Sequence, residues 1–287
     1  MLARAAGIVS KAHVGMAPVL FTIPGLGWEV QAYGFMLAAA LVAGWFLALR
    51  AAARRGLAVE PLGTNYVLAA ASAVFAARAG FLLQHPDRFS GVRDLFVLAP
   101  GGLAPFFGAF VGLAVAAVLA GRRKIPVLRW FDCLASPAML GVVLERIGAF
   151  LAGTGFGRYV DPTFPLAVRY PPDSPAYRYH RATLDMLLPQ GAPASLPVHP
   201  SQLYGAALGA LGVVLAWRLG RRTRPDGELF LLVAIYWLLA RAFVEAWFRA
   251  DAPPGVVGPL APGQVAAAVL VLALAAVLAA RRRAAKG

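Results

Sequence analysis

The 287-residue chain is 60% hydrophobic and only 14% charged, whereas soluble domains carry about 25% charged residues, which excludes an ordinary soluble domain. Its formal net charge is +14, but the basic residues cluster in short loops between apolar runs, a distribution that argues against a nucleic-acid partner. The single cysteine, Cys133, excludes an internal disulfide, and the histidines show no metal-ligand spacing, so we predict no metal and no cofactor.

Seven apolar runs follow in chain order, at residues 30–50, 64–84, 101–120, 128–152, 199–218, 228–248 and 263–280. About 20 helical residues cross the ~30 Å hydrocarbon core of a bilayer, where only helices and closed barrels satisfy their backbone groups. The sequence therefore predicts an all-α membrane protein of about seven transmembrane helices, built as a single transmembrane domain over residues 1–287.

The basic residues predict how these helices are oriented. One alternating set of loops holds fifteen Lys and Arg residues, packed into 50–55, 122–129, 218–224 and 281–286, whereas the other set holds nine in a much longer stretch of chain. The positive-inside rule therefore places the N-terminus outside and the C-terminus in the cytoplasm. The long segment 153–198, with eight prolines, is then predicted to be a periplasmic cap between spans four and five, with disorder as the alternative.

Ionisable residues lie inside three predicted spans, where each costs at least ~2.5 kcal/mol. They include Arg78 in the second span, Asp132, Glu145 and Arg146 in the fourth, and Arg241 and Glu245 in the sixth. Arg241 and Glu245 are one helical turn apart, so an intrahelical ion pair is one interpretation. The other is that at least one guanidinium binds an anion, for which a phospholipid phosphate is the natural candidate.

Two further patterns concern glycines and a histidine. Glycines cluster after Arg146, at Gly148, Gly153, Gly155 and Gly157, which suggests a break in the helix near Arg146. His199 precedes Pro200 at the start of the fifth span, and two interpretations remain open. His199 either bonds a loop carbonyl where the helix begins or helps to hold substrate at the outer membrane surface.

Six motifs resemble those of the prolipoprotein diacylglyceryl transferases, in the family's order over about residues 30–265. The family patterns are Y-G, G-A-R-x-G-Y, G-G-x-x-x-H-G-G, G-R-I-G-N-F-I-N-G-E-x-x-G, H-P-S-Q-L-Y and R-x-x-x-E. Their counterparts here are Gln31–Gly34, Ala77–Phe81, Gly101–Leu103, Glu145–Gly157, His199–Tyr204 and Arg241–Glu245. Each motif is weak alone, but six in order are specific.

The resemblance implies an enzyme of the bacterial inner membrane whose site faces the periplasm. Such an enzyme transfers diacylglycerol from phosphatidylglycerol to the lipobox cysteine of a prolipoprotein, so its partners are that lipid, prolipoprotein signal peptides and the bilayer. By resemblance, the catalytic residues are Arg146, Arg241 and His199. The substrate-binding residues are Tyr33, Arg78, Gly102, Gly148, Gly153, Gly157, Gln202, Tyr204 and Glu245.

The chain departs from the family at several polar positions. Ala149, Ala152 and Thr154 stand where the signature has two asparagines and a glutamate, and Gly205 stands where a glutamate usually follows H-P-S-Q-L-Y. The segment Pro105–Gly108 lacks the histidine or tyrosine before G-G. These departures motivate a second hypothesis, a paralogue that binds phospholipid or lipoprotein without transfer. A small-molecule transporter is the third.

Overall fold

The computed structural model describes residues 16–25, 27–96, 102–172, 174–250 and 260–284, without the side chains of Arg88, Asp185 and Glu245. Its α-helices are α1 (Ala32–Arg54), α2 (Val59–Gln84), α3 (Pro105–Arg122), α4 (Val127–Ala152), α5 (Pro175–Thr183), α6 (Ser201–Gly220), α7 (Glu228–Trp247) and α8 (Pro262–Ala284). A short antiparallel hairpin of β1 (Val19–Thr22) and β2 (Glu29–Gln31) precedes α1.

Six of these helices are long and apolar enough to cross a membrane, namely α1, α2, α3, α4, α6 and α8. This finding confirms the prediction of an all-α membrane protein, to which the hairpin is an addition that the apolar runs do not signal. The remaining predicted span forms α7, a 20-residue helix that packs against α4, α6 and α8. The count of seven spans and the orientation in the membrane stay predictions.

The predicted break near Arg146 is wrong. Helix α4 runs without interruption from Val127 to Ala152 and ends only at Gly153, whose φ of 68° lies in the left-handed region. Glycine adopts that conformation without the steric cost of a Cβ, which explains its place at the end of a helix. The helix continues through Pro137, which lacks an N–H and leaves one carbonyl of the preceding turn without its usual partner.

Small residues let the helices approach closely. A Cβ on Gly108 would lie 2.7 Å from the Ala73 carbonyl oxygen, and one on Gly112 would lie 2.8 Å from the Ala73 Cβ, so α3 packs directly on α2. In the same way, a Cβ on Gly148 would lie 3.0 Å from the Met36 Cβ, where α4 packs on α1. Close packing at such residues replaces the hydrophobic drive that lipid does not supply.

Asp132 joins α4 to the start of α7. Its Oδ2 accepts a hydrogen bond from the Gly227 N–H at 2.8 Å, and its Oδ1 accepts one from the Phe230 N–H at 2.9 Å. The first N–H groups of a helix have no partner within the helix, so this carboxylate caps α7 from another helix. Asp132 therefore has a structural reason to interrupt an otherwise apolar span.

The segment 153–198 folds around a small apolar cluster of its own, within its described residues. The cluster contains Phe156, Val168, Tyr170, Ala176 and Val198, each no more than 4% exposed. Helix α5 begins at the Ser174 N-cap, whose Oγ accepts the Tyr177 N–H at 3.1 Å. The cluster and the capped helix argue against the disordered alternative. Its place on the periplasmic side stays a prediction.

Candidate functional site

A small pocket lies between α4, α6 and α7, towards the end of the bundle that carries the 153–198 segment. Its lining residues are Arg146, Gly205, Trp237, Arg241, Val244 and Arg249. We call it the arginine pocket. Its volume is about 20 Å³, which is room for little more than a water molecule. A lipid head group can enter only if side chains around it move.

Arg146 enters the pocket from α4 and lies next to the Glu145 carboxylate, with which its Nε forms no hydrogen bond. The Arg146 Nε lies 2.7 Å from the Glu145 Oε2, but the N–H does not point at that oxygen, so the ion pair lacks a hydrogen bond. Adjacent residues project in different directions from a helix, which explains the misalignment. Glu145 also contacts the Tyr33 hydroxyl on α1. Arg146 therefore retains donors for another anion.

Gly205 on α6 makes room for the Arg146 side chain. A Cβ at this position would lie 2.9 Å from the Arg146 Cδ and 3.3 Å from its Cγ. The aliphatic part of Arg146 therefore rests against the α6 backbone and carries the guanidinium into the pocket. The glycine that replaces the family's usual glutamate thus adds space, and no second carboxylate, beside Arg146.

Arg241 enters from α7 and stacks on α3. Its guanidinium carbon lies 5.2 Å from the centre of the Phe106 ring, a cation–π geometry. Phe106 stands just before Phe107-Gly108, where the family motif has its histidine or tyrosine. The Glu245 side chain lies outside the described part of the structure, so its pairing with Arg241 stays a prediction.

The rim of the pocket is held by backbone hydrogen bonds between three loops. The Arg158 N–H donates to the Phe248 carbonyl at 2.6 Å, and the Ala250 N–H donates to the Phe156 carbonyl at 3.2 Å. The His199 N–H donates to the Arg158 carbonyl at 3.0 Å. Gly157 packs so closely on His199 that a Cβ would lie 2.7 Å from the His199 Cβ. These contacts fix His199 and Arg249 relative to one another.

His199 lies in an aromatic setting next to the pocket. Its Nδ1 lies 3.1 Å from the Tyr204 hydroxyl, and its ring makes T-shaped contacts with Phe164 and Phe248. The ring therefore bonds a side chain of α6 rather than a loop carbonyl. Burial lowers the pKa of His199, so the imidazole is neutral at neutral pH and able to accept a proton.

Several residues of the predicted site lie elsewhere. Arg78 is buried and donates to the carbonyls of Asp94 at 2.8 Å and Gly102 at 3.0 Å, so it anchors the segment between α2 and α3. Gln202 is fully buried, and its Nε2 donates at 2.9 Å to the Thr154 carbonyl and to the Tyr170 hydroxyl. Gly148 and Gly153 serve helix packing and the end of α4.

Five residues at or beside the pocket were not predicted from the sequence. Arg249 was counted only as a loop cation, and Trp237 and Val244 stand in an apolar run that gives no sign of which side chains face inward. Phe106 was noted only as a departure from the family pattern. Gly205 could have been found, since a glycine in place of the glutamate that usually follows H-P-S-Q-L-Y changes both the charge and the space at that point.

Comparisons with known proteins agree with the motifs. The sequence model of the prolipoprotein diacylglyceryl transferase family matches residues 18–280. A phosphatidylglycerol–prolipoprotein diacylglyceryl transferase of Geobacter sulfurreducens is 31% identical over 257 residues, covering 86% of this chain and 88% of the relative. The protein of that name from Burkholderia cenocepacia is 31% identical over 272 residues, which cover 88% of each chain. The resemblance is thereby confirmed: the chain belongs to the prolipoprotein diacylglyceryl transferase family.

Proposed function

We propose that this chain transfers a diacylglyceryl group from phosphatidylglycerol to the cysteine thiol of a prolipoprotein, with the arginine pocket as the phosphate site. The observation that carries the proposal is the charge of the pocket. Three guanidiniums line it, those of Arg146, Arg241 and Arg249, and the Arg146 Nε makes no hydrogen bond to the neighbouring Glu145. Family membership supports the same substrates.

The chemistry favours arginines at the phosphate. The thiolate sulfur attacks the diacylglycerol carbon that bears the phosphate, so that a C–S bond forms and the C–O bond to phosphate breaks. The phosphodiester carries one negative charge, and the glycerol phosphate that leaves gains a second as the bond breaks. Interactions that strengthen as charge develops lower the barrier, and paired N–H donors of a guanidinium fit phosphate oxygens well.

His199 is the best placed group to take the thiol proton. It is neutral, lies beside the pocket and is oriented by Tyr204. A thiol attacks as its thiolate, so a neighbouring base is needed at neutral pH. Tyr33 would hold Glu145 and so position Arg146, while Glu245 would orient Arg241 from the next turn of α7. These roles make Arg146, Arg241 and His199 the catalytic set.

The depth of the arginine pocket in the membrane, and the membrane face on which it would open, suit a phospholipid and a prolipoprotein as substrates. Arg146 is six residues from the end of α4, or ~9 Å along the helix, which places its guanidinium near head-group level. The clustered basic residues favour the cytoplasm for the opposite end of the bundle, so the pocket would face the periplasmic side of the inner membrane. The 153–198 cap would then guide the signal peptide of the prolipoprotein.

A reconstitution experiment tests the proposal. The purified chain is placed in vesicles with phosphatidylglycerol labelled in its diacylglyceryl part, together with a lipobox peptide. We expect label on the peptide and one glycerol phosphate released per thioether formed, with no label on a peptide whose cysteine is serine. Phosphatidylglycerol that co-purifies with the protein while no label moves would instead support the binding paralogue. Uptake of a solute by the vesicles, with neither label transfer nor co-purified phosphatidylglycerol, would support the transporter hypothesis.

The pH dependence of transfer tests the role of His199. Because burial holds its pKa below the usual 6.5, the imidazole stays neutral until the pH falls below that value. We therefore expect the rate to be flat down to pH 6.5 and to fall at lower pH, and we expect His199→Asn to lose roughly 10²-fold in rate together with this acid limb. His85→Asn, at the end of α2, is the control. An unchanged acid limb in His199→Asn would contradict the role.

A further inference from the structure

A second, larger cleft lies at the opposite end of the bundle, among the ends of α1 and α6 and the starts of α4 and α7. Its volume is about 390 Å³, within the range of small-molecule sites. We call it the basic cleft. It is lined by Arg55, Arg129, Asp132, Gly220, Arg221, Arg222, Thr223, Arg224, Asp226 and Leu229. It shares no residue with the arginine pocket, and the proposed transfer makes no use of it.

The two acids of the basic cleft are already occupied. Both oxygens of Asp132 accept backbone N–H groups at the start of α7. Asp226 accepts the Arg129 Nε at 3.1 Å with each of its oxygens, and its backbone carbonyl accepts Arg281. These contacts hold helices together, and Asp132 also lies close enough to Arg55 for their charges to interact, so the two carboxylates offset only part of the positive charge of the five arginines.

The five arginines of the basic cleft outnumber the carboxylates beside them. Arg224 pairs with Glu228 at 2.8 Å, and Arg129 pairs with Asp226, whereas the ion pairs found in the described part of the chain leave out Arg55, Arg221 and Arg222. Arg55 is half-buried, and its guanidinium makes a weak contact with the Cys133 sulfur at 3.9 Å and lies close enough to Asp132 for their charges to interact. Like charges gathered around a cavity repel one another, so the arrangement favours an anion between them.

An apolar surface adjoins these charges. The Arg221 guanidinium lies 3.7 Å from the centre of the Trp217 ring, which is 52% exposed on the side of α6. Tryptophan prefers the boundary between hydrocarbon and water, and exposed α6 residues such as Leu211 and Val214 continue from it towards the bundle middle. A ligand held by the arginines therefore has a path for an acyl chain along α6.

We propose that the basic cleft binds the phosphate of an anionic phospholipid in the leaflet opposite the transfer site. Basic pockets between transmembrane helices on the cytoplasmic side suit such head groups. The guanidinium fork matches phosphate oxygens, and the cytoplasmic leaflet contains anionic lipids. The bound lipid would tie α1, α6 and α7 together at that end. This second site is independent of the proposed transfer activity.

Lipid binding to matched variants tests this proposal. The cleft variant carries Arg55→Gln, Arg221→Gln and Arg222→Gln, and the control carries Arg122→Gln, Arg123→Gln and Lys124→Gln, the same loss of charge at the end of α3. The probe is dioctanoyl phosphatidic acid, titrated into each full-length protein in detergent while the melting temperature is recorded. We expect the wild type and the control to gain stability at the same lipid concentration, and the cleft variant to need at least five times more lipid.

Two further measurements distinguish a lipid phosphate from a soluble phosphate ester and allow for a triple variant that does not fold. Glycerol 3-phosphate at the same concentration is expected to give no cleft-dependent shift, and an equal shift would overturn the lipid assignment. Equal lipid affinity in the cleft variant and the control would overturn the site. If the triple variant does not fold, Arg222→Gln alone, at an exposed position, is expected to weaken binding about twofold, and no weakening would also overturn the site. Failure here would leave diacylglyceryl transfer intact, so the two proposals fail separately.

Discussion

Arg146→Ala is expected to lower the rate of diacylglyceryl transfer at least ~100-fold, because it removes the guanidinium that faces the developing phosphate charge. Arg146→Lys should recover part of this loss, since it keeps the charge but not the planar fork. The measurement is the initial rate of label transfer to the lipobox peptide in vesicles. Because Arg146 is only partly buried, with 17% of its side chain exposed, both variants should still fold.

Arg50→Ala is the matched control for this substitution. Arg50 also lies on a membrane helix, α1, but it is exposed and does not line the arginine pocket. We expect its transfer rate to stay within twofold of the wild type. Equal rates for Arg146→Ala and Arg50→Ala would remove Arg146 from the mechanism, while leaving the fold and the family untouched.

Gly157→Ala is expected to have the largest effect on stability. A Cβ at Gly157 would collide with the backbone carbonyl of His199, which accepts the Ser201 N–H at 2.9 Å, while the His199 N–H donates to the Arg158 carbonyl, so this backbone has little freedom to move away. Overpacking against backbone costs about 3 kcal/mol, and for a protein of this size that lowers the melting temperature by roughly 5–10 °C. Transfer should fall as well, since His199 and the pocket rim move together.

Gly141→Ala supplies the matched comparison. Gly141 lies inside α4 with nothing within 4 Å of the position that a Cβ would occupy. Alanine is favoured over glycine within a helix by up to ~1 kcal/mol, so we expect its melting temperature to be unchanged or slightly raised. A Gly157→Ala protein as stable as Gly141→Ala would mean that the rim does not hold His199 in the way described.

The membrane architecture was predictable because it depends on composition. Runs of about 20 apolar residues located seven helices, six of which are long and apolar enough to cross a membrane, and the errors in these runs lie at their ends. Helix α2 begins at Val59 rather than 64 because Glu60 and Pro61 suit a first helical turn, and α3 begins at Pro105 for the same reason. The prediction of a helix break near Arg146 was wrong because a run of glycines looks the same in the sequence at a helix end as within a kink.

The site was predictable in its charges but not in its shape. Arg146 and Arg241 stand out because charge is costly in lipid, and the structure brings both to one pocket. Arg78 stands out for the same reason, yet it bonds two backbone carbonyls, a use that depends on loop geometry. Which glycine lies against which arginine is a tertiary contact, and spacing along one chain carries no information about it.

The link that Asp132 makes between two helices limits how a lipid can be admitted. Because this carboxylate accepts two N–H groups at the start of α7, separating α4 from α7 at that end would leave the Gly227 and Phe230 N–H groups without their acceptor. A tilt about Asp132 would part the two helices near Arg146 and leave this link intact. Arg146 lies fourteen residues along α4, so a tilt of about 5° shifts the helices by ~2 Å there. A modest rocking motion, rather than a rearranged bundle, is enough to widen a space the size of one water molecule.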